Sequence, residues 1–189
     1  MSVSTVVYDA CVLYPAALRD LLIWLALTNL FQARWTEEIH NEWMRNVLKK
    51  RPDITLKQLT RTKNLMNNHI PNCLVTGYES IIPDLQLPDV KDRHVLAAAI
   101  HSSANIIVTF NLRDFPSTAL APYRIQAQHP DIFILDLLYL NSRAVCQAAA
   151  RQRSSLKNPP KTVEDYLETL NQQGLTQTVA VLREFSDEI

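Results

Sequence analysis

The feature that most constrains the fold is an alternation of short apolar segments, rich in β-branched residues, with longer amphipathic segments. Residues 3–8 (VSTVVY) and 105–110 (NIIVTF) predict buried strands. Residues 31–35, 72–78 and 124–128 predict shorter extended segments. Because helical patterns separate these segments, the chain is expected to form a parallel sheet with helices on both faces, an α/β fold.

Helix signals between the strands are clear. Thr36 is a good N-cap, and Glu37 and Glu38 follow in the first turn, where the helix dipole favours anions. Proline at residue 52 stops this helix near Lys50. Further helices are predicted over about 15–29, 55–68, 89 or 92 to 103, and 130–153.

The chain is predicted to divide near residue 155. Pro159 and Pro160 interrupt any helix. Beyond them, Thr162 is a candidate N-cap and Gly174 a candidate helix terminator, which predicts a helical hairpin. We therefore expect an α/β domain over residues 1–155 and a C-terminal helical extension over 156–189.

Composition excludes several kinds of site. The sequence has only two glycines, so it contains neither a GxGxxG nor a P-loop nucleotide motif. Its three cysteines are widely spaced, which argues against a disulfide framework and a zinc site. No segment approaches the roughly 18 apolar residues of a membrane span, and the first residues lack the basic region of a signal peptide. A cytoplasmic protein without membrane contact is expected.

Charge is balanced, with 19 basic and 19 acidic residues, so a nucleic-acid footprint over the whole surface is not predicted. Two local basic clusters fit either solvated helix faces or binding patches. These clusters are Arg45, Lys49, Lys50 and Arg51, and Arg143, Arg151, Arg153, Lys157 and Lys161.

Four acidic residues lie at the edges of apolar segments: Asp9, Glu42, Asp92 and Asp114. In a parallel α/β sheet, strand ends and the adjoining helix starts meet at one crevice. Carboxylates that meet there repel one another unless a cation neutralises them. Ligands that are all oxygen suit Mg²⁺ or Mn²⁺ rather than zinc or copper. The pattern indicates a divalent metal and phosphodiester chemistry.

Each acid also has a structural interpretation. Asp9 is compatible with a strand-end turn, although the chain continues apolar after it. Glu42 borders an apolar helix stripe and is compatible with a side chain that reaches solvent. Asp89 and Asp92 compete for one N-cap, and we assign the cap to Asp89 and the chemistry to Asp92. Asp114 follows a strand in a loop, where aspartate is commonly structural.

Two residues near these acids are not predicted to belong to the site. His94 is expected to point about 200° away from Asp92 around a helix. Cys11 is expected to pack as a small apolar residue.

Three blocks of this sequence resemble the PIN-domain nucleases, especially the VapC-like toxins of bacterial toxin–antitoxin pairs. They are VVYDACVLYPAALRDLL, WTEEIHNEWMRNVL and LPDVKDRHVLAAAIHSSANIIVTFNLRDFP. Asp9, Glu42 and Asp92 match the first three acids of the family. The family motif T-x-D-x-x-D-F begins here at Thr109, with Asn111 in place of its first aspartate and Asp114 as the fourth acid.

The resemblance implies a three-layer α/β/α domain that cleaves RNA with Mg²⁺ or Mn²⁺. Asp9, Asp92 and Asp114 would hold the metal, and Glu42 would be a ligand or position the attacking water. Thr109 would orient a carboxylate or a water, and Asn111 bears on whether a second metal binds. The basic clusters would hold the RNA backbone. A cognate antitoxin and a second copy of the chain are the expected protein partners.

Two other functions stay open on the sequence alone. Asn111 and the neutral net charge are compatible with a catalytically inactive PIN-like scaffold that binds RNA or a protein partner. A small-molecule phosphohydrolase on a similar sheet is also conceivable, although YDACV lacks the DxD pattern of such enzymes.

Overall fold

A four-stranded parallel sheet with the order β2–β1–β3–β4 organises the first part of the fold. The computed structural model describes residues 4–189, so Val3 of the first predicted strand lies outside the described residues. The strands are β1 (Ser4–Tyr8), β2 (Phe31–Arg34), β3 (Ile106–Val108) and β4 (Gln126–Gln128). β1 pairs in parallel with both β2 and β3, and β3 pairs in parallel with β4. The α/β fold class is therefore confirmed, together with the C-terminal helices.

The helices largely follow the predicted boundaries. They are α1 (Ala10–Leu13), α2 (Ala16–Ala26), α3 (Glu37–Lys50), α4 (Leu56–His69), α5 (Arg93–His101), α6 (Ser117–Leu120), α7 (Pro130–Ser155), α8 (Val163–Asn171) and α9 (Thr176–Leu182). Thr36 caps α3 by accepting a hydrogen bond from the backbone N of Ile39 at 3.1 Å. Thr162 caps α8 in the same way, accepting from the backbone N of Asp165 at 3.1 Å. These N-cap predictions are confirmed.

Three segments differ from the sequence prediction. The strand predicted over 72–78 is reduced to one bridge between Trp35 and Leu74. Asn72 and Gly77 both have positive φ, and this conformation interrupts an extended chain. A 3-10 turn, Val90–Asp92, precedes α5, so the α-helix itself begins only at Arg93. α7 is interrupted at Asn141, whose φ of −158° and ψ of 82° are not helical.

The chain folds into two compact units that do not follow sequence order. The first comprises residues through Tyr14 together with Phe31–His129, and the second comprises Pro15–Leu30 together with Pro130–Ile189. In the second unit, α2 and α7 therefore group with the C-terminal helices. The domains predicted from the sequence, 1–155 and 156–189, are instead divided where prolines interrupt the helix. That division stays a prediction.

Buried polar contacts explain why α2 and α7 group with the tail helices. The Asp131 carboxylate accepts hydrogen bonds from the backbone N of Gln177 at 2.9 Å and of Thr178 at 2.8 Å. Gln152 accepts from the Tyr166 hydroxyl at 2.7 Å and donates to the carbonyl of Ala17 at 2.8 Å. The hydrogen bond between Gln152 and Ala17 joins the two sequence segments of the second unit, and the bonds of Asp131 tie the start of α7 to α9.

Gly174 ends the turn after α8, as predicted. Its φ is +84°, a conformation that favours glycine. The backbone N of Gly174 donates to Asn171 at 2.9 Å, and that of Leu175 donates to Leu170 at 3.3 Å. These two hydrogen bonds satisfy carbonyls at the helix end and reverse the chain toward α9.

α7 is long and apolar enough, by length and composition, to cross a membrane, and no other helix within residues 4–189 passes this test. Half of its apolar window is buried inside the structure, and the core helix of a soluble protein meets the same criterion. The finding is weak support for a membrane span.

A buried network of aromatic and polar side chains anchors α3 in the first unit. The Trp43 indole N–H donates to His40 Nδ1 at 3.0 Å, and the Trp35 indole donates to Asn67 Oδ1 at 2.8 Å. His40 Nε2 lies 3.0 Å from the same Asn67 oxygen. Since Nδ1 accepts, Nε2 carries the proton and the imidazole is neutral. Burial lowers the pKa of His40, which keeps it neutral.

We predict that His40→Gln destabilises the protein and removes part of its acid sensitivity. At pH 8 the loss should be about 1–3 kcal/mol, because the buried Trp43 N–H loses its acceptor. In the wild type, the unfolded chain binds a proton below a pKa of about 6.5 that native His40 does not bind, so stability falls as pH drops below that value. Urea unfolding from pH 5 to 8 should show that the free energy of unfolding falls less steeply with decreasing pH in the variant than in the wild type. The same pH dependence for both proteins would contradict the proposed role of His40 in the network.

Candidate active site

Asp9 lies immediately after β1 and is 3% exposed. Its Oδ2 accepts hydrogen bonds from the Thr109 hydroxyl at 2.7 Å and from Cys11 Sγ at 3.1 Å. Its backbone N donates to the carbonyl of Val108 at 3.1 Å and continues the β1–β3 pairing. Asp9 is therefore held at the carboxyl end of the two central strands, where the sequence placed it.

Thr109 and Cys11 together connect the strand ends. The Thr109 oxygen also accepts from the backbone N of Asn111 at 2.9 Å and lies 3.3 Å from Cys11 Sγ. Cys11 Sγ in turn accepts from the backbone N of Phe110 at 3.2 Å. Cys11 is expected from the sequence to pack as a small apolar residue, and in the structure it also makes these polar contacts. Burial and the charge of Asp9 raise the pKa of the Cys11 thiol, so it stays protonated and is not a nucleophile.

Glu42 projects from α3 toward the start of α5. Its Oε2 lies 3.5 Å from His94 Nε2, which is close enough for an ion pair when the imidazole is protonated. The His94 side chain is only 12% exposed, and its Nδ1 is buried without a hydrogen-bond partner among the described residues. His94 therefore lies beside one of the four predicted acids. The expected angle of about 200° between His94 and Asp92 holds for a continuous α-helix, whereas Asp92 belongs to the preceding 3-10 turn.

Asp89 and Asp92 divide their roles at the start of α5. Asp89 Oδ1 accepts from the backbone N of Lys91 at 2.9 Å and caps the 3-10 turn. Asp92 occupies the N-cap position of α5, but its side chain makes no capping hydrogen bond. The carboxylate of Asp92 is therefore left without a capping role, which agrees with the assignment made from sequence.

Asp114 and Asn111 lie in the turn that follows β3. The backbone N of Asp114 donates to the carbonyl of Asn111 at 3.0 Å, which closes this turn. Asp114 is half-buried and Asn111 is exposed. Of these two side chains, Asp114 is the one whose charge reaches Asp92.

The predicted acids lie within electrostatic range of one another. Burial raises the pKa of Asp92 to about 7, and the charges of four other acids add to this effect. They are Asp9, Asp89, Asp114 and Glu42. Burial also raises the pKa of Asp9, with a smaller contribution from Glu42, while the hydrogen bonds from Thr109 and Cys11 act in the opposite direction. The site concentrates negative charge in a partly desolvated place.

The acids are neighbours but do not form a closed coordination shell. Within residues 4–189, no group of three or more His, Cys, Asp or Glu side chains is arranged to hold a metal ion. One Asp9 oxygen is already engaged by Thr109 and Cys11, and Glu42 lies beside His94. Mutual repulsion also favours separation of the carboxylates when no cation is present.

We predict that Asp92→Asn stabilises the metal-free protein at high pH. Between a pKa of about 3.9 in the unfolded chain and about 7 in the native state, the native protein holds a proton that the unfolded chain has lost. Native stability therefore falls as pH rises through this window. Because Asp92 is partly solvated, we expect the variant to gain about 1–2 kcal/mol at pH 8. At pH 4 it should gain almost nothing.

Urea unfolding in EDTA at the two pH values measures this difference. An equal effect of the substitution at pH 4 and pH 8 would contradict the charge-repulsion account.

Comparison with known proteins assigns this sequence to a family. A model described as "PIN domain" matches residues 5–113, and one described as "VapC50 C-terminal domain" matches residues 130–184. A Mycobacterium tuberculosis protein named "Putative ribonuclease VapC50" is 42% identical over 107 residues, which cover 54% of this chain and 63% of that relative. The chain thus matches less than two thirds of the relative's length.

No solved structure matches the chain significantly. The PIN-domain model nevertheless spans more than half of the sequence and includes β1, the acids Asp9, Glu42 and Asp92, and β3. The chain belongs to the PIN-domain family.

Proposed function

We propose that this protein is a Mg²⁺- or Mn²⁺-dependent endoribonuclease and the toxin of a toxin–antitoxin pair. The observation that carries the proposal is the acid cluster around Asp92, where burial and like charge raise the pKa to about 7. Repulsion within such a cluster lowers native stability, and carboxyl groups with strongly raised pKa values are typical of functional sites. The name of the M. tuberculosis relative, a ribonuclease, supports RNA as the substrate.

The donor set suits a hard divalent cation. Asp9, Asp92 and Asp114 supply only carboxylate oxygens, which Mg²⁺ and Mn²⁺ prefer. The raised pKa of Asp92 and of Asp9 is the effect that a nearby cation would reverse. Mg²⁺ commonly binds through one or two carboxylates, with waters completing its shell, so a closed cage of protein ligands is not required.

In the proposed mechanism, each side chain has a separate task. Asp9, Asp92 and Asp114 would hold the cation, and Glu42 would orient the attacking water and accept its proton. Thr109 and Cys11 fix the orientation of Asp9 through its Oδ2. His94 beside Glu42 limits the positions that the Glu42 carboxylate can take. A divalent cation in such a site lowers the pKa of water and stabilises negative charge on the phosphate.

The partners and location follow from the same proposal. A toxin of this type acts on RNA in the cytoplasm, and its activity there requires control by a cognate antitoxin. A homodimer is the proposed assembly. The proposal includes no contact with a membrane.

A catalytically inactive scaffold is the second candidate. Asn111 replaces one acid of the family motif, and the described residues contain no preassembled group of three metal ligands. A scaffold of this kind would bind RNA or a protein partner without metal-dependent cleavage. Cleavage and metal-binding experiments distinguish the two candidates.

We predict that the wild type cleaves single-stranded RNA in Mn²⁺ or Mg²⁺ and not in EDTA. Asp9→Asn should reduce the cleavage rate by at least about 100-fold, because it removes one of the three carboxylates that would hold the cation. Asn105→Asp, an exposed change in the loop before β3, is the matched control and should leave the rate unchanged. Gel analysis of a labelled RNA measures both rates; undiminished activity of Asp9→Asn would exclude the proposed site.

We predict that the wild type binds Mn²⁺ and that Asp92→Asn does not. Isothermal titration at pH 8 should give a dissociation constant between micromolar and millimolar for the wild type. At pH 5.5 binding should weaken, because protons compete for Asp92 when its pKa is about 7. If the variant bound Mn²⁺ as the wild type does, Asp92 would not be a ligand.

A further inference from the structure

A groove lies beside the acid cluster on the first unit. Its lining residues are Cys11, Tyr14, Asn46, Lys49 and Lys50, and its volume is about 540 Å³. This volume is within the range of small-ligand pockets. Cys11 belongs to both places, because its Sγ also contacts Asp9 at 3.1 Å. The groove therefore begins where the acid cluster ends.

The two lysines of the groove are exposed and carry charges that no described residue neutralises. Neither ammonium group has a hydrogen bond or ion pair with any of residues 4–189, and both side chains are exposed. Arg51, the next basic residue, is instead paired with Asp53 at 2.7 Å. A helix C-terminus by itself favours positive charge in its last turn. The helix dipole does not explain why both lysines border a concave surface with an aromatic ring and an amide.

The groove follows the same helix face as Glu42. Asn46 lies four residues beyond Glu42 on α3, and Lys49 and Lys50 lie seven and eight residues beyond it. Lys49 is therefore about 10 Å from Glu42 along the helix axis. About three stacked nucleotides span this distance. A strand whose phosphate meets the acid cluster would reach the lysines with a phosphate about three nucleotides away.

We propose that this groove is the subsite for an unpaired stretch of the RNA strand next to the phosphodiester at the acid cluster. The inference rests on the proposed function. Lys49 and Lys50 bind phosphate oxygens, the Tyr14 ring stacks on one base, and the Asn46 amide contacts a base or ribose edge. Stacking on a side chain requires a base that is not stacked in a duplex, so the subsite selects single-stranded RNA.

The test uses the Asp92→Asn protein, which is expected to leave RNA intact, and a fluorescent 12-nucleotide polyuridine. Fluorescence anisotropy in 50–200 mM KCl gives the affinity and its salt dependence. Adding Lys49→Ala and Lys50→Ala should weaken binding about tenfold and reduce the slope of log affinity against log salt by about 1.4, since each lost phosphate contact removes about 0.7. The matched control, Lys57→Ala with Arg61→Ala on exposed positions of α4, should change neither value by more than twofold.

Tyr14 provides an independent arm of the test. Tyr14→Leu should weaken binding about tenfold without changing the salt slope, because it removes stacking and no charge. Tyr14→Phe keeps the ring and should bind like the parent. Thermal melts followed by circular dichroism verify that each variant is folded. The subsite would be overturned if the double variants of the groove and of α4 lost RNA affinity equally. It would also be overturned if Tyr14→Leu bound RNA as tightly as the parent protein.

Cleavage of the same RNA by proteins with Asp92 intact separates the subsite from the proposed function. Metal-dependent cleavage that the groove substitutions leave unchanged overturns the subsite alone. If RNA binding depends on the groove residues but no variant with Asp92 intact cleaves RNA, the proposed nuclease activity is overturned and the subsite is supported. Absence of RNA binding by the parent protein, or equal binding of polyglutamate in the groove, overturns the assignment to RNA.

Discussion

Parallel pairing of β1 with strands on both of its sides is the constraint on which the site depends. Val6, Val7 and Tyr8 are completely buried, so β1 cannot shift its register without exposing apolar side chains. This register places Asp9 beside Val108 and Thr109 at the end of β3. Asp9 and Thr109 are 100 residues apart in sequence, yet a 2.7 Å hydrogen bond joins them at the ends of the two strands.

The same constraint creates an electrostatic cost. Asp9 is buried and several other acids approach Asp92, which raises the pKa values of both carboxyl groups. Thr109 and Cys11 offset part of this cost at Asp9 by donating to its Oδ2. Within residues 4–189, no side chain donates a comparable hydrogen bond to Asp92, and the charges of four neighbouring acids raise its pKa. Under the proposed function, a bound cation would relieve this repulsion at Asp92.

The second unit shows a different principle of assembly. The "VapC50 C-terminal domain" model matches residues 130–184, whereas the compact unit also includes α2 from the first part of the chain. Gln152 connects these parts, because it binds the carbonyl of Ala17 and the hydroxyl of Tyr166. Asp131 then fixes the start of α9 through two backbone N–H groups. Buried polar groups of this kind must all be satisfied, which makes the arrangement specific.

The sequence by itself determined the local features of this protein. Apolar periodicity, Thr36, Thr162 and Gly174 set strand and helix positions, since capping and turn chemistry act over a few residues. The acids at segment edges predicted Asp9 and Asp92 as site residues, and that role stays a prediction. Only the tertiary structure decided that Cys11 contacts Thr109, that His94 faces Glu42 and that α2 groups with α7. These contacts join residues remote in sequence, or depend on a 3-10 turn that redirects a helix, and no local pattern encodes them.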